Sequence, residues 1–191
     1  MHRDPLLRLL AAYAVRFPDE RAVAERFTAF VGAHPDCFER SCVPGHVTGS
    51  AWVVSHDHSR FLLTHHRKLG RWLQVGGHSD GDPDTAAVAL REATEESGIA
   101  GLALASLGGL ASKAFEPLDL DAHEIPARGD EPAHVHYDVR FLVVAPPDAR
   151  LAISEESLDL RWFAADAPLA VASDESVVRL LRKARALAAR A

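Results

Sequence analysis

Three glutamates, Glu92, Glu95 and Glu96, lie within roughly one and a half turns of a predicted helix that ends at Gly98. Like charges three and four residues apart on a helix repel each other, so we expect a cation to offset them. Clustered carboxylates supply the hard oxygen ligands that Mg²⁺ and Mn²⁺ prefer, and such an ion could bridge phosphate oxygens and activate water. A solvated acidic helix face would have the same composition, but the preceding Gly-Gly turn and the charge spacing favour a metal site.

The helix that carries these carboxylates has start and stop signals in the sequence. Asp82 is a suitable N-cap, Pro83 suits the first helical position and Gly98 suits a left-handed residue after the last turn. At about 100° per residue, Val88 and Ile99 share the face of the glutamates. The opposite face is predicted to pack on the protein and consists of Ala86, Ala87, Leu90, Ala93 and Thr94.

The segment from Gly77 to Ile99 resembles the Nudix box, G-x5-E-x7-R-E-U-x-E-E-x-G-U, in which U is an apolar residue. The run REATEESGI, which begins at Arg91, matches the motif, and its spacing from Gly77 matches as well. The resemblance implies an α/β fold, the Nudix-type α/β/α sandwich with a mixed sheet. It also implies a divalent-metal-dependent hydrolase that cleaves the diphosphate linkage of a nucleoside diphosphate derivative.

Carried over residue by residue, the resemblance places Glu92, Glu95 and Glu96 on the family's metal-binding and water-activating positions. It implies that Gly77 offers its backbone carbonyl to a Mg²⁺ or Mn²⁺ ion. It also implies that Arg91 braces the loop before the helix.

The sequence departs from the motif in two places. Pro83, flanked by Asp82 and Asp84, replaces the early glutamate, and Val75 stands where a proline often precedes the two glycines. In the family the early glutamate mostly supports the loop. The departure therefore concerns the loop geometry more than the metal site.

Three residues near the box are candidates for contacts with substrate. Arg67 and Lys68 lie shortly before it and His78 directly follows the glycines, although a solvated basic turn would look the same. Type I isopentenyl-diphosphate isomerases, which share the Nudix fold, place a metal-binding histidine after a glycine in this turn. Their box is degenerate, whereas REATEESGI is complete. An isomerase-like enzyme is therefore the alternative function, and a non-catalytic Nudix-like metabolite sensor is the third.

A strand predicted over residues 134–144 places four polar residues on one face: His134, His136, Asp138 and Arg140. If this face lines a cleft, His134, His136 and Arg140 would bind substrate; a sheet with one solvated face would show the same pattern. Nudix hydrolases often carry another glutamate further along the chain, where it binds metal or acts as general base. Glu155 or Glu156 could take that part, or form only an acidic turn.

The remaining sequence predicts the elements that position these residues. Residues 4–15 and 19–33 form two predicted helices, which we expect to pack as a hairpin on the main domain. Residues 1–44 would then be an N-terminal helical extension and residues 45–191 the Nudix domain. Strands are predicted over residues 48–55, 60–66, 71–75, 102–107, 134–144 and 158–163, an acidic loop over 116–130 and an amphipathic closing helix over 173–189.

Composition limits the partners of the chain. The net charge of −6 across 191 residues argues against a nucleic-acid polymer as partner, but a metal can reverse the local potential and admit a small phosphoanhydride substrate. Arg8 interrupts the apolar run near the N-terminus and no stretch has transmembrane length, so we expect no membrane contact and a cytoplasmic protein. By analogy with the family, the chain could form a homodimer.

The two cysteines form part of an H-x2-C-x4-C-x3-H pattern made by His34, Cys37, Cys42 and His46. The spacing matches no standard zinc knuckle. We therefore expect two reduced, packed thiols in preference to structural zinc.

Overall fold

A mixed β-sheet forms the centre of the protein. The computed structural model describes residues 2–107, 115–154, 157–168, 171 and 173–189, and within them the sheet has eight strands. In chain order the strands are β1 (Gly45–Val54), β2 (Arg60–His66), β3 (Arg71–Leu73), β4 (Val75–His78), β5 (Ala103–Leu104), β6 (Asp119–Ile125), β7 (His134–Val144) and β8 (Ser157–Ala164).

β1 is the central strand. It pairs in parallel with β7 and antiparallel with β2 and β4. β5 and β6 add antiparallel to β7, while β3 and β8 add antiparallel to β2. All ten residues of β1 are buried, as expected for a strand covered on both faces. The predicted mixed sheet is confirmed.

Helices cover both faces of the sheet, and those described are α1 (Asp4–Arg16), α2 (Arg21–Ala33), α3 (Thr85–Ser97) and α4 (Glu175–Ala188). α1 and α2 form the predicted hairpin, and Phe30 of α2 stacks on Tyr137 of β7 with 3.9 Å between ring centroids. On the opposite face, Leu180 of α4 is buried in an apolar cluster that contains Trp52 and Leu142 of the sheet. This layering confirms the predicted α/β/α sandwich and the packing of the N-terminal hairpin on it.

α3 begins two residues later than the sequence predicted. Asp84, and not Asp82, is the N-cap, because Asp84 Oδ1 accepts a hydrogen bond of 3.1 Å from the backbone N–H of Ala87. The other end lies where it was predicted: Gly98 follows the last turn in the left-handed conformation, with φ of 66°.

The packing face of α3 also differs from the prediction. Ala87 and Thr94 are exposed, whereas Val88 and Ala89 are completely buried. The reason is the close approach of the helix to β1: a Cβ built on Gly49 would lie 2.9 Å from Val88 Cγ1. The helix therefore packs on the sheet through Val88 and Ala89. Its buried face is rotated about the helix axis relative to the predicted one.

The loop predicted over residues 116–130 contains a strand, so that prediction was wrong. β6 pairs with β7 over seven residues, with Asp121 opposite Asp138. Its acidic residues suggested a solvated loop, but Asp119 is buried and forms ion pairs with Arg140 and Arg179. β5 is shorter than the predicted strand, at two residues.

Two further expectations concern the thiols and the membrane. Cys37 and Cys42 are buried free thiols, as predicted. Burial raises the pKa of Cys37 to about 11 and that of Cys42 to about 12. Near Cys42 the structure gathers His34 and Asp36, and it places His46 in a different cluster. Within the described residues, no helix has the length and apolarity needed to cross a bilayer.

Candidate active site

The Gly-Gly turn brings the backbone of β4 against the carboxylate helix. β4 pairs with β1 so that Gly77 lies opposite Gly49, and both glycines face α3. A Cβ at Gly77 would lie 2.2 Å from Glu92 Oε2. Only a residue without a side chain leaves room for this carboxylate against the strand.

Arg91 joins the helix to the loop that precedes it. Its Nη2 donates to Glu92 Oε1 at 2.9 Å and to the carbonyl oxygen of His78 at 3.0 Å. The hydrogen bond with Glu92 raises the pKa of the Arg91 guanidinium. One side chain therefore holds a carboxylate and the end of β4 in fixed positions relative to each other.

The three carboxylates of α3 are graded in exposure. Glu92 and Glu96 are half-buried and Glu95 is exposed. Together with the backbone at Gly77 they form an all-oxygen donor set, which is the chemistry that a hard divalent cation requires. The space against Gly77, which a Cβ would fill, admits one of these donors, so the residues present fit Mg²⁺ or Mn²⁺.

The loop between β4 and α3 is ordered without the early glutamate of the motif. The backbone N–H of Asp84 donates to Asp82 Oδ1 at 2.9 Å, so the residues on both sides of Pro83 fix the turn. Asp80 pairs with Arg40, whose Nη2 lies 2.8 Å from Asp80 Oδ2. These contacts position the loop.

Within the described residues, four histidines cluster on the sheet face that points away from α3, and a fifth, His123 of β6, lies at their edge with its ring centroid 5.5 Å from that of His136. In the parallel pair β1/β7, His46 lies opposite His136, and His134 is two residues earlier on the same face. His78 lies on this face because successive residues of a strand face opposite sides of the sheet, and its neighbour Gly77 faces α3. The ring centroids of His46 lie 4.8 to 5.1 Å from those of the other three rings.

Three of these imidazoles, those of His46, His78 and His136, are held in the neutral form because burial lowers the pKa of each. Burial, followed by the nearby His78 and His134, lowers the pKa of His46 to about 4. Burial and the surrounding histidines lower the pKa of His136 to about 2, and burial also lowers that of His78. Near neutral pH each of these rings therefore keeps a nitrogen lone pair available for a proton donor or a metal.

A buried ion-pair network continues along the same face. Arg140 is 2% exposed and contacts Asp138 at 2.7 Å, Asp121 at 3.1 Å and Asp119 at 3.3 Å. Burial acts to lower the pKa of Arg140, but the three carboxylates raise it. The guanidinium is thus fully enclosed by its three carboxylate partners, and its position gives no support to the predicted substrate contact.

The remaining predicted site residues lie apart from this face. Arg67 and Lys68 are exposed in the turn between β2 and β3, where Arg67 Nη2 donates to the carbonyl of Ser157 at 3.1 Å. Glu155 and Glu156 lie outside the described residues.

The sequence pattern did not group His46 with the histidines of β7. The available signal was the alternation His46, Thr48 and Ser50, which matches the polar alternation of β7. Thr48 and Ser50 both donate to Asp138 Oδ1, so the two polar strand faces meet.

Comparison with known proteins places this geometry in context. A model of the NUDIX domain matches residues 45–181. No curated protein matches the sequence significantly. A NUDIX-family hydrolase from Clostridium perfringens has a similar structure, with 21% identity, a TM-score of 0.55, and coverage of 76% of this chain and 98% of that one.

Two further solved structures resemble the chain. An Ap4A hydrolase of C. elegans in a binary complex is 19% identical, has a TM-score of 0.52, and the match covers 76% of this chain and 98% of that one. A UDP-X diphosphatase is 14% identical with a TM-score of 0.51, and the match covers 96% of this chain and 94% of that one. At these identities the likeness shows the fold, and the last match extends it over the N-terminal helices.

Proposed function

The chain belongs to the Nudix family of hydrolases, since the family model matches residues 45–181 of its 191, and on that premise we propose that it cleaves the diphosphate linkage of a nucleoside diphosphate derivative with a divalent metal. The observation that carries the proposal is the position of Glu92. Its carboxylate lies against the backbone of Gly77, and Arg91 joins both to the loop.

In this proposal Glu92, Glu95, Glu96 and the Gly77 carbonyl would hold Mg²⁺ or Mn²⁺. When bound, such an ion neutralises charge on phosphate oxygens and lowers the pKa of a water nucleophile. Arg91 keeps Glu92 and the loop carbonyl in register, so that little reorganisation is needed when substrate binds. Glu156 stays a candidate general base.

Substrate contacts are proposed at the turn between β2 and β3. Arg67 and Lys68 are exposed and cationic, which suits contact with a phosphate group. His78, His134 and His136 were predicted to contact substrate, but their burial against one another favours metal binding. Two of the structures that resemble the chain, an Ap4A hydrolase and a UDP-X diphosphatase, are enzymes whose substrates contain a nucleotide, in agreement with the proposed substrate class.

We also propose residues 1–44 as a helical extension and residues 45–191 as the Nudix domain. The family match begins at residue 45, in support of that boundary. The extension shares its core with the sheet, through the stacking of Phe30 on Tyr137. The homodimer and the cytoplasmic location stay predictions from the sequence.

The test is cleavage of a panel of nucleoside diphosphate derivatives, with Mg²⁺ and with Mn²⁺. Glu96→Gln removes one charge from the donor set and should lower turnover by about 100-fold or more. Glu25→Gln, on the exposed side of α2, is the matched control and should behave as wild type. Circular dichroism would verify that both variants are folded.

Unchanged turnover in Glu96→Gln would contradict the assignment of the carboxylates. If the wild type cleaves no member of the panel, the proposed hydrolysis of nucleoside diphosphate derivatives is contradicted. Rearrangement of a prenyl diphosphate would then indicate the isomerase, and tight binding of a nucleotide without turnover would indicate the sensor.

A further inference from the structure

We propose that His46, His134 and His136 bind a transition-metal ion of the Zn²⁺ type, at a second site separate from the carboxylates of α3. Ring nitrogens of these three histidines all lie within 4.8 Å of one another. Imidazole nitrogen suits Zn²⁺, copper and nickel, whereas Mg²⁺ prefers oxygen. The donor set alone therefore separates this site from the carboxylate site.

His46 provides the observation that points to a ligand. It is 1% exposed, and within the described part of the chain neither of its ring nitrogens has a hydrogen-bond partner. Buried polar groups are rarely left in this state, because they lose water without a replacement. Three imidazole rings lie around His46, and each brings a nitrogen lone pair of its own. A cation among the rings would satisfy all of them together.

The distance between His134 and His136 fits ligands of one ion. Their Nε2 atoms are 3.2 Å apart. With Zn–N bonds of about 2.0–2.1 Å, tetrahedral coordination places two ligand nitrogens about 3.3–3.4 Å apart. His134 Nδ1 lies 2.9 Å from the carbonyl oxygen of Pro132. Donation of Nδ1–H to this carbonyl leaves the Nε2 lone pair free and orients the ring, as in known histidine–metal sites.

His78 is placed to complete the coordination. Its ring centroid lies 5.1 Å from that of His46 and 5.0 Å from that of His136. Zinc sites take four ligands, and where three come from the protein the fourth is water. The structure thus offers three imidazoles from β1 and β7 and a fourth position that His78 or water can fill.

The proposed zinc site lies on the opposite side of the sheet from the carboxylates. Successive strand residues point to opposite faces, so Gly77 faces Glu92 while His78 faces His46. An ion bound by the histidines would join β1 to β7 and, through His78, to β4. It would therefore fix the strand that carries Gly77 without contacting the carboxylates of α3.

Metal binding by the full-length protein tests the proposal directly. After treatment with a chelator, the protein would be titrated with Zn²⁺ and its metal content measured by mass spectrometry. Co²⁺ would serve as a spectroscopic probe, since tetrahedral nitrogen coordination gives intense visible absorption. We expect one tightly bound Zn²⁺ per chain. Glu95→Gln and Glu96→Gln should retain it, so failure of the hydrolase proposal would not affect this result.

Single ligand variants define the site. Because changes in groups that merely orient a ligand lower metal affinity 10- to 100-fold, His134→Gln and His136→Gln should each lower Zn²⁺ affinity by at least about 100-fold. His56→Gln, in the exposed turn after β1, is the matched control and should bind as wild type. Zn²⁺ should raise the melting temperature of the wild type and of His56→Gln but not of His134→Gln.

Three results would overturn the proposal. The first is a wild-type protein that takes up no stoichiometric Zn²⁺. The second is a folded His134→Gln or His136→Gln variant with wild-type affinity. The third is loss of Zn²⁺ from Glu95→Gln and Glu96→Gln alone, which would place the ion at the carboxylates. If a histidine variant does not fold, the wild-type Co²⁺ spectrum decides, because carboxylate coordination in an octahedral site absorbs weakly.

Discussion

The substitution Gly77→Ala should impair catalysis while the protein stays folded. A Cβ at Gly77 lies 2.2 Å from Glu92 Oε2 and 2.5 Å from Glu92 Cδ. A relaxed contact needs about 3.5 Å, so the carboxylate must retreat by about 1.3 Å. The clash falls on the far end of a flexible side chain, which can turn aside at little cost to folding. A displacement of about 1 Å in a catalytic group can lower the rate about 100-fold.

The assay is steady-state cleavage of the best substrate of the panel, with the divalent metal varied. We expect kcat/KM of Gly77→Ala to fall by about 100-fold and its metal requirement to rise. Thermal unfolding should show little change. Gly32→Ala, on α2, is the matched control, because apart from its chain neighbours and the backbone of its own helix the added Cβ would have no atom within 4 Å. It should leave both activity and folding intact.

Substitution of the neighbouring glycine, Gly76, should affect folding and not only catalysis. A Cβ at Gly76 would lie 2.6 Å from Ser50 Cα, so Gly76→Ala should unfold or strongly destabilise the protein. Wild-type kcat/KM and metal requirement in Gly77→Ala would refute the reasoning, because the contact of Glu92 with Gly77 would then play no part in catalysis. Unfolding of Gly77→Ala would show that Glu92 cannot turn aside as the structure implies.

Three further predictions concern the network and the helix. Asp119→Ala leaves Arg140 buried with one partner fewer and should lower the free energy of unfolding by about 3–5 kcal/mol, measured by urea denaturation. Burial acts to raise the pKa of Asp121, but an imidazole hydrogen bond and two guanidinium charges hold it below its usual value. The stability this contributes is present above the unfolded pKa of about 3.9 and should be lost as the pH falls below it, measured by urea denaturation across that range. Gly49→Ala would place a Cβ 2.9 Å from Val88 Cγ1, so α3 must shift, with a loss of about 1–3 kcal/mol and of activity.

Each of these predictions has its own control. Asp159→Ala removes an exposed ion pair with Arg161 and should cost at most about 1 kcal/mol. An equally small effect of Asp119→Ala would contradict the buried network. Asp121→Asn should flatten the acid dependence of unfolding, and an unchanged profile would assign that dependence elsewhere. Wild-type stability and activity in Gly49→Ala would contradict the close packing of α3 on β1.

The sequence was sufficient to find α3 because the signals of that helix are local. Charge spacing and the left-handed glycine at its end lie within a few residues of each other. The rotation of its packing face depended on Gly49, which is distant in the chain. β6 was missed for a similar reason. Asp119 and Asp121 suggest a solvated loop in the sequence, but in the fold they accept hydrogen bonds from Arg140 on β7 and Arg179 on α4.

Only part of the histidine cluster could be predicted from local sequence patterns. Alternation within a strand indicated that His134 and His136 share a face, and this was visible in the sequence. Their partner His46 joins them through the parallel pairing of β1 and β7. Parallel pairing requires a long crossover connection, so its register is not encoded by any turn between the two strands. The third ring of the proposed zinc site could therefore be placed only by the fold.

β4 links the two proposed metal sites through the direction of its side chains. Gly77 must lack a side chain because Glu92 occupies that position on the α3 face, and His78 projects to the face of His46. Arg91 then holds the His78 carbonyl, so the residue that faces the histidines is also anchored to the carboxylate helix. Hard oxygens on one face and imidazoles on the other select different ions by donor type. In this proposal the Gly-Gly-His sequence provides both a residue without a side chain for the carboxylate site and an imidazole for the histidine site. A substitution on either face that moves β4 would therefore alter the other site as well.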